Sequence, residues 1–484
     1  MRQQLAAALL TVFGVIGVFT ATAAAAERPN VIVIMADDLG AKELACYGHP
    51  SHQTPHLDQL AASGVKFETC YATPICHPTR FEIMTGQYGC TNGIYNFGSR
   101  RGGPAHDDPN ENIANHMTFG QVFKQNGYAT ALAGKWQLSG KVPTLIKECG
   151  FDEYLMWAYD NNLPPGVKHE GGREGTDRTS RYFHPSLMKN GEYLPTKPDD
   201  YGPDMFNAFV LDFARKHRQQ PFFVYYPMCL THGPYYTTPN TTQSPDDRFV
   251  NKKENFASNV AYLDKLIGRL VAGLEEAGLR ERTFILFTGD NGTGGDGKGQ
   301  PTELGARVPM IVVGPGVKAL GSSPALVDLS DVFPTILELA GIEKDPSLKF
   351  DGQSFAPVLR GEKEQVRDWI FSYIADRRIV RDQRWLLEDN SPLHYGRLYD
   401  CGASRNGEGY REVTESTDPE VLAVRKRFDA IIATKPAPVL DFEGPAAALN
   451  ADQKAQKGGQ KKDAGAKKQG GKKRAEKKAA EAGA

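Results

Sequence analysis

Several common features are missing from this 484-residue sequence, and each absence excludes a class of protein. Its seven cysteines include no Cys-x-x-Cys pair, which argues against a zinc knuckle or a thioredoxin-type redox site. No internal repeat is found, so nothing indicates a repeat architecture. After residue 26 no run is long and apolar enough to span a bilayer, so no membrane span is predicted in the mature chain.

The N-terminus is the exception, because it is strongly apolar. Arg2 is followed by LAAALLTVFGVIGVF and then TATAAAAE, whose small residues suit cleavage near Ala26. Residues 1–26 are therefore predicted to be a signal peptide, and the protein to be secreted or periplasmic. The alternative is an uncleaved membrane anchor, since the apolar stretch approaches spanning length. Export permits disulfides, but the odd number of cysteines leaves at least one thiol without a partner in the chain.

The C-terminus has a different composition from the rest of the chain. From Ala451 to Ala484 there are eleven Lys and Arg against four Asp and Glu, with no aromatic or branched aliphatic residue. Such a segment cannot bury a core, so residues 450–484 are predicted to be a disordered basic tail. It would either contact a polyanion, such as a sulfated glycan, or be a solvated tail without a dedicated partner. The remaining chain is net acidic, which argues against a specific nucleic acid partner.

The central part of the sequence alternates between two kinds of apolar pattern. Short, continuous apolar runs predict buried strands, and they lie at 31–36, 128–134, 221–228, 282–289 and 308–314. Helical patterns lie between them, including 54–64, 118–127, 259–278 and 328–341. This alternation predicts an α/β catalytic domain over residues 28–345, with a mixed, mostly parallel sheet sandwiched by helices. The stretch from Leu155 to Asp204, rich in Gly, Pro, Asn and charge, is predicted to be a surface excursion.

A smaller second domain is predicted over residues 350–437. Three segments, 368–376, 378–389 and 396–401, have the pattern of short antiparallel strands. The segment 418–434 has the pattern of a closing helix. The prediction is a small C-terminal α+β domain packed on the first.

Polar residues follow four of the predicted strands. Their positions are Asp37 and Asp38 after the first strand, Lys135 after the second, His232 after the third, and Asp290 and Asn291 after the fourth. In an open α/β sheet, ligands bind beyond the carboxyl ends of the strands. One such Asp would be an ordinary cap, but four polar strand ends together indicate a site.

These residues divide into two chemical groups. Asp37, Asp38, Asp290 and Asn291 offer hard oxygen ligands, which suit Ca²⁺ or Mg²⁺ rather than zinc. Lys135, His232 and Lys298, the last from the glycine-rich GDNGTGGDGKGQP, are donors for a tetrahedral anion. A metal combined with cationic donors points to hydrolysis or transfer of a sulfate or phosphate ester.

The stretch PICHPTRFEIMTG, residues 74–86, places a cysteine near the start of a predicted helix. Pro78 is suited to open this helix and Gly86 to end it. Cys76 is predicted to lie just before the helix N-terminus, where the helix dipole and Arg80 would stabilise negative charge. A buried or disulfide-bonded cysteine is the alternative.

The same stretch resembles the Cys-x-Pro-Ser/Thr-Arg signature of the formylglycine-dependent sulfatases, in the alkaline phosphatase superfamily. Other segments of the chain also resemble that family and occur in its order: NVIVIMADDLG, GYATALAGKW, LTHGP, TGDNG and ELGARVPMIVVGPG. The similarity covers about residues 28–437. The resemblance implies an alkaline phosphatase-like fold. It also implies that Cys76 is oxidised during export to formylglycine, by a formylglycine-generating or an anaerobic sulfatase-maturing enzyme.

The resemblance also assigns roles to the site residues. Asp37, Asp38, Asp290, Asn291 and the modified residue 76 would bind a metal, usually Ca²⁺ in this family, with Mg²⁺ as the alternative. Arg80 would hold the nucleophile region, while Lys135 and Lys298 would bind the sulfate oxygens. His232 would contact sulfate or assist the leaving oxygen. One hydroxyl of the formylglycine hydrate would attack sulfur, and the other would let the sulfated intermediate collapse.

One residue departs from the family pattern. GKWHLG of the family is GKWQLS here, so Gln137 replaces a histidine that hydrogen-bonds the formylglycine hydrate. Gln can orient a hydroxyl group but cannot take its proton near neutral pH. Another base, such as His184 from the predicted excursion, or a water molecule would then serve.

The leading hypothesis is an exported sulfatase that cleaves a sulfate monoester of a carbohydrate, with a sulfated small molecule as the other substrate. A phosphonate monoester or phosphodiester hydrolase with the same nucleophile is the close alternative. A non-catalytic sulfoglycan-binding protein, with Cys76 unmodified, is the alternative from another class.

Overall fold

The computed structural model describes residues 28–97, 112–138, 144–158, 163 and 180–438. The predicted signal peptide and basic tail therefore lie outside the described residues. The strands of the described part are Asn30–Ala36 (β1), Val65–Tyr71 (β2), Ala129–Gly134 (β3), Glu153–Trp157 (β4), Leu187–Lys189 (β5), Glu192–Leu194 (β6), Phe222–Pro227 (β7), Thr283–Gly289 (β8), Arg307–Val308 (β9), Met310–Val313 (β10), Gly321–Asp328 (β11), Ile370–Ile374 (β12), Arg377–Arg381 (β13), Trp385–Asn390 (β14), Arg397–Asp400 (β15) and Arg411–Glu412 (β16).

The helices of the same residues fall between and around these strands. They are Pro55–Ser63 (α1), Cys76–Thr85 (α2), Gly89–Asn92 (α3), Phe119–Gln125 (α4), Thr144–Glu148 (α5), Gly202–Lys216 (α6), Phe256–Glu276 (α7), Glu303–Ala306 (α8), Val332–Leu339 (α9), Ala356–Leu359 (α10) and Pro419–Ala433 (α11). No helix among the described residues is long and apolar enough to cross a membrane.

Strand β1 lies at the centre of the main sheet and is buried on both faces. Its odd-numbered residues Val31, Val33 and Met35 belong to one hydrophobic cluster. Its even-numbered residues Ile32, Ile34 and Ala36 belong to the cluster on the opposite face. Because successive side chains of a strand point to opposite faces, a continuous apolar run needs helices on both sides of the sheet.

The main sheet is mixed and has the strand order β11-β2-β10-β8-β1-β7-β3-β4-β5-β6, with β9 paired to β2. The five central strands β8, β1, β7, β3 and β4 are parallel to one another. Antiparallel pairs flank them on both sides, at β8–β10, β10–β2, β4–β5 and β5–β6. The predicted mixed, mostly parallel sheet covered by helices is therefore confirmed.

Part of the predicted excursion between Leu155 and Asp204 was wrong. Strand β4 continues to Trp157, and β5 and β6 then extend the main sheet by two short antiparallel strands. These strands are only three residues long, so their apolar pattern is too short to distinguish from a loop. Residues 159–162 and 164–179 of the same stretch lie outside the described residues.

The second sheet is antiparallel, with strands β12 to β16 in sequence order. Helix α11 packs on it through Val421, Val424 and Phe428. Ser372 Oγ of β12 donates to the Ala72 carbonyl, 2.6 Å away, which ties this sheet to the segment before α2. The boundary of a separate domain at 350–437 stays a prediction.

Candidate active site

The site lies at the edge of the main sheet where its central parallel strands end. Strand β8 leads into Asp290, β1 into Asp37 and Asp38, β7 into the segment with His232, and β3 into Lys135. Because β8, β1, β7 and β3 are parallel neighbours, their carboxyl ends meet at one edge. The fold thus brings together all the strand-end residues that the sequence singled out.

Asp37 lies at the centre of a buried group of charges. Lys135 Nζ donates to both of its carboxylate oxygens, at 2.8 and 2.9 Å. A guanidinium nitrogen of Arg80 lies 3.4 Å from Asp37 Oδ1 and 2.7 Å from Asp290 Oδ2. Lys135, Arg80, Asp37 and Asp290 are each at most 1% exposed, so water screens these interactions little.

Asp38 has a different set of partners on the neighbouring side. Its backbone N–H donates to Asp290 Oδ1 at 2.9 Å, and Asn291 Nδ2 donates to its Oδ1 at 2.9 Å. Lys298 Nζ lies 2.7 Å from Oδ1 and 3.0 Å from Oδ2. His232 Nε2 is 3.7 Å from Asp38 Oδ2.

Helix α2 brings Cys76 and Arg80 to this edge. The helix begins at Cys76 itself, with Ile75 as its N-cap, so the prediction that Cys76 precedes the helix was off by one residue. Pro78 fits within the first turn because its missing N–H would have no partner there. Gly86 ends the helix in a left-handed conformation, as predicted.

Cys76 differs from the other cysteines by its place rather than by its pairing. All seven cysteines lie in the described residues, and all are free thiols. Cys76 is buried, with 2% of its surface exposed, and begins the helix that carries Arg80. The first turn of a helix is an environment that stabilises a negative charge.

The loop after Asn291 carries Lys298 and is held by contacts to three other segments. Thr293 Oγ1 donates to Glu43 Oε1 at 2.8 Å, and Tyr235 OH donates to the Gly294 carbonyl at 3.0 Å. The Gly299 N–H donates to the Pro74 carbonyl at 2.7 Å, immediately before α2. A Cβ at Gly294 would lie 2.8 Å from Tyr235 OH and 3.0 Å from Asp38 Oδ2, so a larger residue there would displace one of these side chains.

Burial and ion pairing shift the pKa values of two neighbouring carboxylates in opposite directions. Burial favours the neutral acid of Asp37, but the positive charges of Lys135 and then of Arg80 hold its pKa well below the ordinary value. Burial and then the charge of Asp37 raise the pKa of Asp290 to about 7. A cation between them would favour the ionised form of both.

His232 is held as a neutral imidazole. Burial lowers the pKa of His232 to about 3, although Asp38 opposes this shift. Its Nδ1 is 2.5 Å from the Gly233 carbonyl, so Nδ1 carries the proton as a donor and Nε2 faces Asp38. Tyr182 OH donates to the His232 carbonyl, which fixes the backbone of this segment.

Gln137 lies two residues beyond Lys135 in a conformation that few side chains adopt. Its φ is +48°, and it is 8% exposed. Its Oε1 is buried and has no hydrogen-bond partner within the described part of the chain. Such an arrangement costs free energy and is typical of functional positions.

The residues of this edge fit a hard divalent cation. Donor atoms of Asp37, Asp38 and His232 lie within 4.8 Å of one another. Asn291 Oδ1 is buried and has no hydrogen-bond partner among residues that the structure describes, so an acceptor is left for a cation. Carboxylate and amide oxygens are the ligands that Ca²⁺ and Mg²⁺ prefer.

A second cluster, Glu43, His49 and His52, does not fit a metal. His49 Nδ1 accepts from the backbone N–H groups of Ser51 and His52, at 3.2 and 2.8 Å, so its proton must lie on Nε2. His52 Nδ1 donates to the Glu43 carbonyl at 2.9 Å. Only one imidazole lone pair therefore remains for a metal. Both histidines instead lie beside Glu43, which accepts from Thr293 in the loop that carries Lys298.

Arg181 is a site residue that the sequence did not single out. One of its guanidinium nitrogens lies 3.7 Å from Asp37 Oδ2. It comes from a segment with several arginines and no distinguishing pattern, so no sequence signal marks it. His184 of the same segment, the suggested alternative base, pairs its backbone N–H with the Asp200 carbonyl at 2.9 Å.

Known proteins that are similar to this chain identify its family. A sequence model of the sulfatase family matches residues 29–342. The chain is 33% identical to arylsulfatase A of Homo sapiens over 380 residues, which cover 72% of this chain and 71% of that protein. The chain belongs to the sulfatase family. It is also 30% identical to N-acetylgalactosamine-6-sulfatase of Rattus norvegicus over 378 residues, covering 72% and 69% of the two chains.

Solved structures show the fold of this sulfatase. The crystal structure of Ps i-CgsB in complex with k-i-k-neocarrahexaose matches with a TM-score of 0.68 at 23% identity, covering 89% of this chain and 98% of that one. The predicted alkaline phosphatase-like fold and the predicted membership of the formylglycine-dependent sulfatases are both confirmed. The enzyme is a sulfuric ester hydrolase, and its family generally uses formylglycine and a divalent metal.

Proposed function

We propose that this sulfatase is exported and hydrolyses a sulfate monoester of a carbohydrate, using a formylglycine formed from Cys76. The observation that carries this proposal is the ion pair between Arg80 and Asp290, at 2.7 Å. It joins the helix that starts at Cys76 to the strand end with the oxygen donors. This contact supports a nucleophile position next to the cation position.

A bound metal ion and the formylglycine formed from Cys76 would complete the site. Asp37, Asp38, Asp290, Asn291 and residue 76 would hold Ca²⁺, with Mg²⁺ as the alternative ion, and the ion would polarise a sulfate oxygen. The formylglycine hydrate would supply the nucleophile together with a second hydroxyl for release of sulfate.

The side chains around this position have separate roles in the proposal. Lys135 and Lys298 bind the sulfate oxygens, because both are cations at the edge where Asp37 and Asp38 meet. Arg80 keeps Asp290 and α2 in place. His232 takes a proton from the attacking hydroxyl group on Nε2, which faces the site, and then passes it to the leaving oxygen. Gln137 orients a hydroxyl group of the nucleophile through its unpartnered Oε1.

The burial of Cys76 indicates that the residue is modified before the protein folds. With 2% of its surface exposed, the thiol is closed to another enzyme in the folded protein. A formylglycine-generating or anaerobic sulfatase-maturing enzyme would therefore act on the chain before it folds, during export by the predicted signal peptide. Secretion or a periplasmic location follows from this proposal.

A carbohydrate substrate is supported by the relatives. One of them is named an N-acetylgalactosamine-6-sulfatase, and a structural neighbour was solved with k-i-k-neocarrahexaose. The basic tail at 450–484 would add a contact to a polyanionic glycan.

The decisive experiment is the mass of the proteolytic peptide that contains Cys76, from protein secreted by its native host. We expect an aldehyde in place of the thiol. The peptide with Cys229 is the matched control, because this cysteine is 1% exposed and should remain a thiol. An unmodified Cys76 in active protein would overturn the proposed mechanism.

Two further outcomes separate the alternatives. Release of inorganic sulfate and phosphate from matched aryl esters distinguishes a sulfatase from a phosphonate monoester or phosphodiester hydrolase with the same nucleophile. Retention on a sulfated glycan without any turnover would instead indicate a sulfoglycan-binding protein.

A further inference from the structure

We propose that Tyr235 is a positioning residue, which holds the loop of Lys298 so that the ammonium group of this lysine meets the sulfate that is cleaved. This inference rests on the proposed function, because it takes Lys298 as a sulfate-binding residue. Tyr235 acts through the backbone of Gly294 and through Lys298, and it makes no contact with the substrate itself.

The position of Lys298 depends on its loop. The side chain of Lys298 is 22% exposed, whereas that of Lys135, which directly follows strand β3, is 1% exposed. Lys298 belongs to the segment 292–299, GTGGDGKG, in which five of the eight residues are glycine. Because glycine loses more backbone freedom on folding than any other residue, such a loop needs contacts with other segments to keep one conformation.

The hydroxyl group of Tyr235 provides such a contact close to the lysine. It donates to the Gly294 carbonyl at 3.0 Å. A Cβ added to Gly294 would lie 2.8 Å from this hydroxyl and 3.0 Å from Asp38 Oδ2, so both oxygens lie on the same side of Gly294. Lys298 Nζ donates to the same Asp38 oxygen at 3.0 Å, and the Lys298 N–H donates to the Thr293 carbonyl at 3.2 Å. A shift of Gly294 would therefore move Lys298 relative to Asp38.

Tyr235 is itself held in place by the segment at the start of α7. Its N–H donates to Asn251 Oδ1 at 2.8 Å, and its carbonyl accepts from the Lys252 N–H and from Asn255 Nδ2, both at 3.1 Å. Its ring meets the Phe256 ring edge to face, with the ring centres 5.3 Å apart. A hydroxyl group on a side chain fixed in this way restrains the loop with little further loss of entropy.

The other contacts of the loop lie at its ends or on its surface. Thr293 and Gly299 anchor the two ends, through their hydrogen bonds to Glu43 and Pro74. Between these ends Asp296 pairs with Lys42, but the two side chains are 58% and 38% exposed, and an exposed ion pair contributes little. The half-buried hydrogen bond of Tyr235 is the stronger restraint on the middle of the loop.

The test removes the hydroxyl group and keeps the aromatic ring. Calorimetry with inorganic sulfate compares the Ca²⁺-loaded wild type with the Ca²⁺-loaded Y235F variant. We expect Y235F to bind sulfate about fivefold more weakly, because one hydrogen bond that places Lys298 is lost. An unchanged affinity for sulfate would overturn the proposal.

A double-mutant cycle shows whether Tyr235 acts through Lys298. K298M removes the charge and keeps the apolar stem of the side chain, and it should weaken sulfate binding by itself. Adding Y235F to K298M should then have no further effect on the affinity, since the group that Tyr235 positions is already absent. An equal loss of affinity in both backgrounds would indicate a merely structural role and would overturn the proposal.

Tyr95 offers a matched control. Its hydroxyl group also donates to a backbone carbonyl, that of Pro436 at 3.1 Å, and its ring meets the Tyr373 ring edge to face at 5.9 Å. Y95F should bind inorganic sulfate as tightly as the wild type does. If Y95F and Y235F lose affinity equally, the effect does not come from the loop of Lys298, and the proposal is wrong.

Turnover separates this inference from the proposed function. Y235F should lower kcat/KM for 4-nitrophenyl sulfate and for phenyl sulfate by the same factor, about fivefold, because Lys298 binds the sulfate group that both esters share. A larger loss with phenyl sulfate, which has the poorer leaving group, would show that Tyr235 acts through His232, and it would overturn the proposal. Hydrolysis by the wild type tests the sulfatase chemistry, whereas the sulfate affinities test Tyr235 even if neither ester is hydrolysed.

Discussion

Arg80 lies one helical turn beyond Cys76 and donates to Asp290 Oδ2 at 2.7 Å, across 210 residues of sequence. Its other guanidinium nitrogen donates to the Lys135 carbonyl at 3.4 Å. Burial opposes the charge on Arg80, but Asp290 and Asp37 raise its pKa well above the ordinary value. One side chain thus connects the nucleophile helix to two strand ends.

Replacing Arg80 by Met should destabilise the protein strongly. The substitution leaves Asp290 and Asp37 buried without this partner, and breaking a buried pair in this way costs about 3 kcal/mol. The free energy of unfolding, measured in urea without metal, checks this. Lys124→Met is the control, since the Lys124–Asp152 pair is 49% and 40% exposed and should contribute less than about 1 kcal/mol. Equal effects of both variants would contradict the interpretation of Arg80.

Replacing Asp290 by Ala should remove metal binding and activity together. Asp290 is one of the proposed oxygen ligands, so the loss of kcat should be at least about 100-fold. The metal content of the purified protein and the release of sulfate from an aryl sulfate are the two measurements. Asp296→Ala changes an exposed residue of the adjacent loop, paired with Lys42, and should keep both metal and activity. A fully loaded Asp290→Ala enzyme would exclude this residue as a ligand.

Replacing Gln137 by Met should raise stability while lowering activity. The buried Oε1 lacks a hydrogen-bond partner among the described residues, and an apolar side chain of similar length removes that cost of about 1 kcal/mol. Without the amide group the nucleophile loses its orientation, so kcat should fall by about 100-fold. Thermal unfolding and kcat are measured on the same preparation, with metal content as the control. Unchanged activity would show that Gln137 takes no part in the reaction.

Glu388 makes a pH-dependent contribution to stability. Burial, with a smaller effect of Glu303, raises its pKa to about 7. The folded state therefore favours the protonated acid, so this contribution is complete below the unfolded pKa near 4.5 and is lost as the pH rises through 7.

Replacing Glu388 by Gln imitates the protonated form and still accepts from the Glu303 N–H. The variant should match the wild type at pH 4.5 and be more stable by up to about 3 kcal/mol at pH 8. Urea unfolding at both pH values checks this, with the exposed Glu364→Gln as the control. A variant that is less stable at pH 8 would contradict the sign of the shift.

The central strands could be predicted from the sequence because each is buried on both faces. A continuous apolar run such as VIVIMA is typical of a strand that is buried on both faces of a sheet. The predicted ends of four such runs fall within one residue of the ends of β1, β3, β7 and β8. The residues after these strands were therefore assigned correctly to one edge. Strands β2 and β11 were missed, because β2 mixes charged with apolar residues and β11 contains Gly, Ser and Pro.

The sequence by itself determined which residue types stand at the strand ends and at the start of α2, since local apolar patterns and a short signature define both. Only the tertiary structure decided which charges meet. Arg80 with Asp290 and Arg181 with Asp37 are pairs formed between distant segments. The energy of an ion pair depends on the distance between its charges in space and on their burial, and neither quantity is encoded in the spacing of residues along the chain.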